Sequence, residues 1–277
     1  DNGKDYKTAF IPEMDLKKTI VPISKVLEEL NDWYAVESKY DNKYFNKTKE
    51  ELEKTKNDSK KTVSYMVKEF EMKKSADAYA RATTSKTGML DMGQLHTYKY
   101  NDDIFAKVTT LPGAKNHGLV MFLDWSGSMS GNLKGTLNQL YNLIWFCKKV
   151  NIPFDVYAFT DLYRRYADRD TKIQKFRSGE LDVNDLRLLH LFSDKMKNTQ
   201  ELNMMHNLYM IACKWSYRDW RTEGYPYKCP PHYNLGGTPL NSAIISAMQI
   251  VPEFKNSRGI QKAVSYTHLR AHETIPD

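Results

Sequence analysis

Asp124, Ser126 and Ser128 stand two residues apart in the run Asp124-Trp125-Ser126-Gly127-Ser128 and offer one carboxylate and two hydroxyls. These are hard oxygen donors of the kind that Mg²⁺, Mn²⁺ or Ca²⁺ prefers. Gly127 lets the backbone turn tightly between the serines, so that both hydroxyls can face one point. A single carboxylate leaves a bound divalent ion positive overall, and such a centre suits the capture of an Asp or Glu from outside. A second turn, Gly236-Gly237-Thr238-Pro239, adds a hydroxyl at Thr238. Each piece admits another reading: Asp124 and the serines could cap the next helix, and Thr238 before Pro239 has the form of an N-cap with proline at the first helical position.

Such side chains need elements to hold them. Gly118 to Leu123, GLVMFL, is an apolar run that follows a cluster of turn residues, the pattern of a strand buried on both faces of a parallel sheet. It ends at Asp124, and ligands in open α/β sheets sit beyond the carboxyl ends of strands. Leu133, Leu137, Leu140, Ile144 and Cys147 then fall on one helical face, and Asn151-Ile152-Pro153 stops that helix before the strand FDVYAF, Phe154 to Phe159. This is one β-α-β unit, whose strands should be parallel and whose crossover should be right-handed. Leu240, Ala243, Ile244, Ala247, Met248 and Val251 mark a further amphipathic helix.

The remaining chain divides by composition. Residues 1–88 read as a charged helical region, with Ile20, Ile23, Leu27 and Leu30 on one helix and Val63, Met66, Val67 and Phe70 on a second. Pro22 should interrupt the first helix, Asp58 or Ser59 cap the second, and Gly88 end it. Residues 89–117 connect to an α/β domain over 118–263, expected as a doubly wound, mostly parallel sheet. Within it, residues 161–235 read as a long insertion over one sheet edge, with helical pieces such as DVNDLRLLHLF (Asp182 to Phe192).

With 277 residues, 41% of them hydrophobic, the chain can bury a substantial core. No run approaches the roughly 18 to 20 apolar residues of a membrane span, and the three widely spaced cysteines do not resemble a disulfide framework or zinc ribbon. A cytoplasmic protein with reduced thiols is expected. The net charge of +7 comes from lysines mixed with acids, as in Lys47 to Lys61, which reads as a solvated face. Aromatic residues among arginines (Trp215, Tyr217, Arg218, Trp220, Arg221, Tyr225, Tyr227) keep a nucleic-acid-associated factor open as an alternative. A Mg²⁺-dependent phosphatase is another, with Asp124 as nucleophile. Such enzymes need a second acid two residues on, where this chain has Ser126, whose hydroxyl cannot serve as a general acid/base near neutral pH as a carboxylate does. A Walker A loop is absent.

Together, DWSGSM and GGTPL resemble the metal-ion-dependent adhesion site of von Willebrand factor A (VWA) domains. The resemblance implies an ion held by Asp124, Ser126, Ser128 and Thr238. Arg81 to Phe105, with Lys86, Gly88, Leu90 and Asp91, and the Val183 to Arg187 segment VNDLR are similar to the CobT-type subunit of cobaltochelatase, including phage-encoded variants. The likeness spans about residues 65–263. It implies a non-catalytic adaptor in a complex related to cobalamin biosynthesis. Its implied partners are an AAA+ ATPase of the CobS or MoxR type and a large chelatase subunit; no membrane partner is expected, and the mixed charges disfavour nucleic acid. The family's third metal-loop aspartate, in a T-D-G or S-D-G turn, does not follow Gly259 to Val264. Ser265 to Thr274 resembles translated sequencing-adapter read-through instead. The expectation is therefore a C-terminally truncated domain: native sequence to about Ala263, a non-native tail over 264–277, and neither the last strand nor that aspartate. His268 and His272 have i, i+4 spacing but read as solvated.

Overall fold

Val120, Met121, Phe122 and Leu123 are all completely buried. Since a strand points successive side chains to opposite faces, both faces of this one must be covered. The computed structural model describes residues 10–40, 42–80, 83–90, 99–100, 105–110, 116–169, 175, 177–216 and 228–267. In chain order the elements are α1 (Leu16–Thr19), β1 (Ile20–Val21), α2 (Ile23–Tyr40), α3 (Asn42–Ala80), β2 (Thr83–Leu90), β3 (Phe105–Thr110), β4 (His117–Asp124), α4 (Leu133–Lys149), β5 (Phe154–Thr160), α5 (Leu162–Ala167), β6 (Arg187–Ser193), α6 (Asn198–Ser216), α7 (Leu240–Arg258) and β7 (Lys262–Thr267), with short 3-10 turns at Gly127–Met129 and Pro231–Tyr233.

Five strands form one sheet in the order β1-β6-β5-β4-β7. β4 is parallel to both β5 and β7, as expected for the first pair, while β6 runs antiparallel to β5 and parallel to β1. Met121 and Leu123 join Phe154, Val156 and Ala158 on one face, against α2, α4 and α6. Val120, Phe122, Tyr157 and Phe159 meet α7 on the other. The chain is thus α/β with helices on both sides of a mostly parallel sheet. All five apolar residues expected on α4 have no exposed surface.

The chain divides into two compact units, one built from the segments up to Val63 and from Asn116 onward, the other from Ser64–Lys115. The second unit holds the later part of α3 and the antiparallel pair β2 and β3, irregular between Lys86 and Leu90.

Several expectations need correction. Pro22 does interrupt the first helix, but the two residues before it form β1, and α2 packs in the sheet's core rather than in a separate helical region. Asp58 and Ser59 lie inside a continuous α3, and Gly88 lies in β2, because the helix has already ended at Ala80. The stretch 161–235 is no mere edge insertion: it supplies β6, inside the sheet, and α6. Leu186, Leu188, Leu189, Leu191 and Phe192 are all buried, and a short apolar run of this kind cannot be assigned to helix or strand by periodicity alone.

The last strand is also present. β7 pairs with β4 from His117 opposite Lys262 to Phe122 opposite Thr267, so Ser265–Thr267 belong to the sheet. Strand pairing uses backbone groups that every residue but proline supplies, so an unfamiliar side-chain sequence does not prevent it. Residues 268–277, with His268 and His272, lie outside the described residues.

α7 bears out the expected stripe at Leu240, Ala243, Ala247 and Val251, which pack into the core, but not at Ile244 and Met248. Ala243, Ala247, Ile250 and Phe254 face the core, whereas Ile244 and Met248 are 43% and 57% exposed. The buried face turns through Ile250 to Phe254, which lies beyond the Leu240 to Val251 segment. Ile250→Ala should therefore cost about 2–5 kcal/mol in chemical denaturation, and Ile244→Ala less than about 0.5 kcal/mol.

His206 of α6 is buried against Phe45, its ring 4.6 Å from Phe45 in an edge-on contact and its Nε2 3.0 Å from the Thr48 hydroxyl. Burial, reinforced by Lys49, lowers its pKa to about 4. The folded state thus holds fewer protons than the unfolded one below about pH 6.5. Stability present above that pH should fall by up to about 3 kcal/mol as pH drops toward 4. Urea midpoints across this window should show the loss, with a shallower slope in His206→Gln.

Candidate metal centre

β4 lies where the chain switches direction across the sheet, with β5 on one side and β7 on the other. Crevices at such switch points, beyond the carboxyl ends of strands, are where open α/β sheets bind ligands. Asp124 is the last residue of β4, opposite Phe159 of β5, and is 1% exposed.

Beyond Asp124 the chain is zipped to the second turn. Ser126 forms a parallel bridge with Gly236. The Gly127 N–H donates to the Gly236 carbonyl at 2.8 Å, and the Gly236 N–H to the Trp125 carbonyl at 3.2 Å. The buried Trp125 indole N–H donates to the Tyr233 carbonyl at 2.9 Å. The two loops picked out by sequence are therefore one structural unit. The Ser126 and Ser128 hydroxyl oxygens stand 2.9 Å apart. That spacing suits a hydrogen bond, and it also matches the ~3 Å edge of an octahedron with Mg–O bonds of about 2.1 Å. The donor set fits a hard divalent ion.

Asp124 and Ser126 are buried, while Ser128 and Thr238 are exposed. Thr238 follows the bridge by two residues, and its carbonyl accepts the Leu240 N–H at 2.8 Å. The structure thus converges the two serines, puts Asp124 at the adjoining strand end and runs the Thr238 loop alongside. Ser126 is the N-cap residue of the 3-10 turn Gly127–Met129, without a side-chain cap hydrogen bond, while the cap positions of α4 and α7 are Asn132 and Pro239, neither with a side-chain cap hydrogen bond. Among the described residues no group of three or more His, Cys, Asp or Glu side chains is arranged to hold an ion.

Sequence reasoning missed Asp161. It follows β5 as Asp124 follows β4, and its Oδ1 accepts the Gly237 N–H at 2.7 Å while Oδ2 pairs with Arg165 at 2.7 Å. It explains the double glycine. A Cβ on Gly236 would lie 2.4 Å from Asp161 Oδ1 and 2.5 Å from Leu162 Cγ, which leaves no room for a side chain. A strand-end Asp in Thr160-Asp161 was the available signal.

Glu29 of α2 braces the same loop. It accepts the Tyr233 hydroxyl at 2.7 Å and the Tyr163 hydroxyl at 3.0 Å, and lies 3.3 Å from His232 Nε2. Burial first, and Glu29 second, push both tyrosine hydroxyls above their ordinary range. Burial lowers His232 despite Glu29, so this ring is neutral at pH 7 and the contact is a polar one between neighbours.

The aromatic and basic residues Tyr217, Arg218, Trp220, Arg221, Tyr225 and Tyr227 lie outside the described residues, while Trp215 packs against the core with Lys214 over its ring at 5.4 Å. Among the described residues no helix is long and apolar enough to cross a membrane. Comparison with protein-family models, with curated proteins and with solved structures finds no match to this chain.

Gly236→Ala should destabilise the fold by about 1–3 kcal/mol, since the added methyl overpacks a site closed by Asp161 and Leu162. Thermal melting against Gly135→Ala, an exposed α4 position, checks it: the control should be stabilised or unchanged.

Proposed function

We propose that this chain is a VWA-type, metal-ion-dependent protein-binding module in which Asp124, Ser126, Ser128 and Thr238 hold Mg²⁺, Mn²⁺ or Ca²⁺. The observation that carries the reading is the backbone zipper between the two loops at the end of β4, with the Ser126 and Ser128 hydroxyls 2.9 Å apart beside it. The buried pair Asp124 and Ser126 would anchor the ion, and the exposed Ser128 and Thr238 would leave it open to a macromolecule. When bound, the ion supplies a coordination position for a carboxylate of the partner. Asp161 and Glu29 position the second loop and touch no ion in this scheme.

The proposed role is that of a non-catalytic adaptor resembling the CobT-type chelatase subunit, with an AAA+ ATPase of the CobS or MoxR type and a large chelatase subunit as partners. Cys147, Cys213 and Cys229 are free and buried, and burial raises Cys147 to about 12 and Cys213 to about 11. Unreactive, unpaired thiols support a reducing, cytoplasmic setting.

Mg²⁺ at ten times its dissociation constant should stabilise the chain by about 1.4 kcal/mol, read as a melting shift that Asp124→Ala abolishes. Co-purification with a CobS-type ATPase should require Mg²⁺ and fail in EDTA. Equal capture with and without chelator would sink the metal bridge.

A further inference from the structure

Beside the second loop lies an open cleft of about 410 Å³ lined by Asp161, Arg164, Arg165, Arg169 and Asp185. Three guanidinium groups face two carboxylates there, and the pairing is uneven. Arg165 bonds Asp161 at 2.7 Å, and Arg164 bonds Asp185. Arg169 donates its Nε–H to the Arg165 carbonyl at 2.6 Å, and no acid among the described residues is paired with it. Among the described residues its exposed guanidinium has both Nη groups available to an outside acceptor.

The backbone beneath this cation is held. Asp168, the neighbour of Arg169, receives two hydrogen bonds from the fully buried Arg187, at 3.0 Å from Nε and 2.7 Å from Nη2. Arg187 is fixed in turn by donating to the Asn184 and Leu186 carbonyls. A cation on an anchored chain segment loses less freedom on binding than one on a loose tail. Asp161 belongs both to the cleft and to the loop zipper, so the two sites share a wall.

We infer that the Arg169 cleft takes a second carboxylate from the partner, so that the segment captured is an acidic stretch with at least two Asp or Glu residues. This rests on the metal-bridge reading for the first carboxylate. A nucleic-acid strand fits less well: Asp161 and Asp185 would repel a continuous run of phosphates, and among the described residues no aromatic ring lines the cleft to stack a base.

The test uses the whole chain and a fluorescein-labelled dodecapeptide of alternating Glu and Ser, read by anisotropy at low salt, where surface charges are least screened. Arg169→Glu should weaken binding by about tenfold and Arg169→Lys by less than about threefold, as expected when one exposed charge contact is reversed or conserved. EDTA or Asp124→Ala should weaken wild type and Arg169→Glu by the same factor. Equal affinity of wild type and Arg169→Glu overturns the cleft assignment whatever EDTA does. Sensitivity to Arg169 with none to EDTA or Asp124→Ala supports the cleft and overturns the metal bridge instead. Tighter binding of a single-stranded oligonucleotide of equal charge overturns the acidic-peptide assignment.

Discussion

Two backbone hydrogen bonds and one indole bond join the end of β4 to the turn before α7, and the arrangement of the hydroxyls follows from them. The loop after Asp124 would otherwise have to satisfy its own peptide groups, and a segment that does so by closing on itself cannot hold Ser126 and Ser128 toward one point. Pairing Ser126 with Gly236 as a short strand bridge fixes the loop's backbone. The demand for close approach then propagates outward. Gly236 must lack a side chain because Asp161 and Leu162 fill the space, and Asp161 is there because β5 ends beside β4.

A polar scaffold supports this arrangement from below. Glu29 gathers two tyrosine hydroxyls and an imidazole from two parts of the chain, Tyr163 and the neighbours His232 and Tyr233, and Tyr233 supplies the carbonyl that receives the Trp125 indole. At the opposite end of the sheet, Arg258 of α7 reaches Asp155 of β5 and Asp194 just past β6. The helix whose start carries the second loop is thus tied down at its far end by ions.

Local pattern carried the parts of the fold that depend on neighbours in sequence. GLVMFL, the α4 stripe and FDVYAF each state their own burial, and the Asp124 loop could be placed because it follows directly from a strand. What could not be read depends on distance. Asp161 acts on Gly237 across 76 positions, and Glu29 on Tyr233 across 204. β6 was taken for helix because the four apolar residues of RLLHLF, Leu188, Leu189, Leu191 and Phe192, follow neither a clear alternation nor a clear helical period. β7 was discounted because its side chains look foreign, although the sheet asks only for its backbone. On α7 the expected stripe took in Ile244 and Met248, whereas the buried face turns through Ile250 to Phe254, which lies beyond the Leu240 to Val251 segment.

The distance across the zipper bears on the order in which the molecule assembles. β4, α4 and β5 are consecutive and can collapse together, whereas the bond from Trp125 to Tyr233 closes a loop of 108 positions. Closure entropy grows with the logarithm of loop length, so the second loop arrives after the first strands have paired. If that order holds, the folding transition state has Asp124 at the end of its strand without Thr238 beside it. A ligand gripped by both loops stabilises the finished state and not that earlier one. It slows unfolding and leaves the rate of folding unchanged, so such a site acts as a latch on the completed sheet and has no part in guiding the chain toward it.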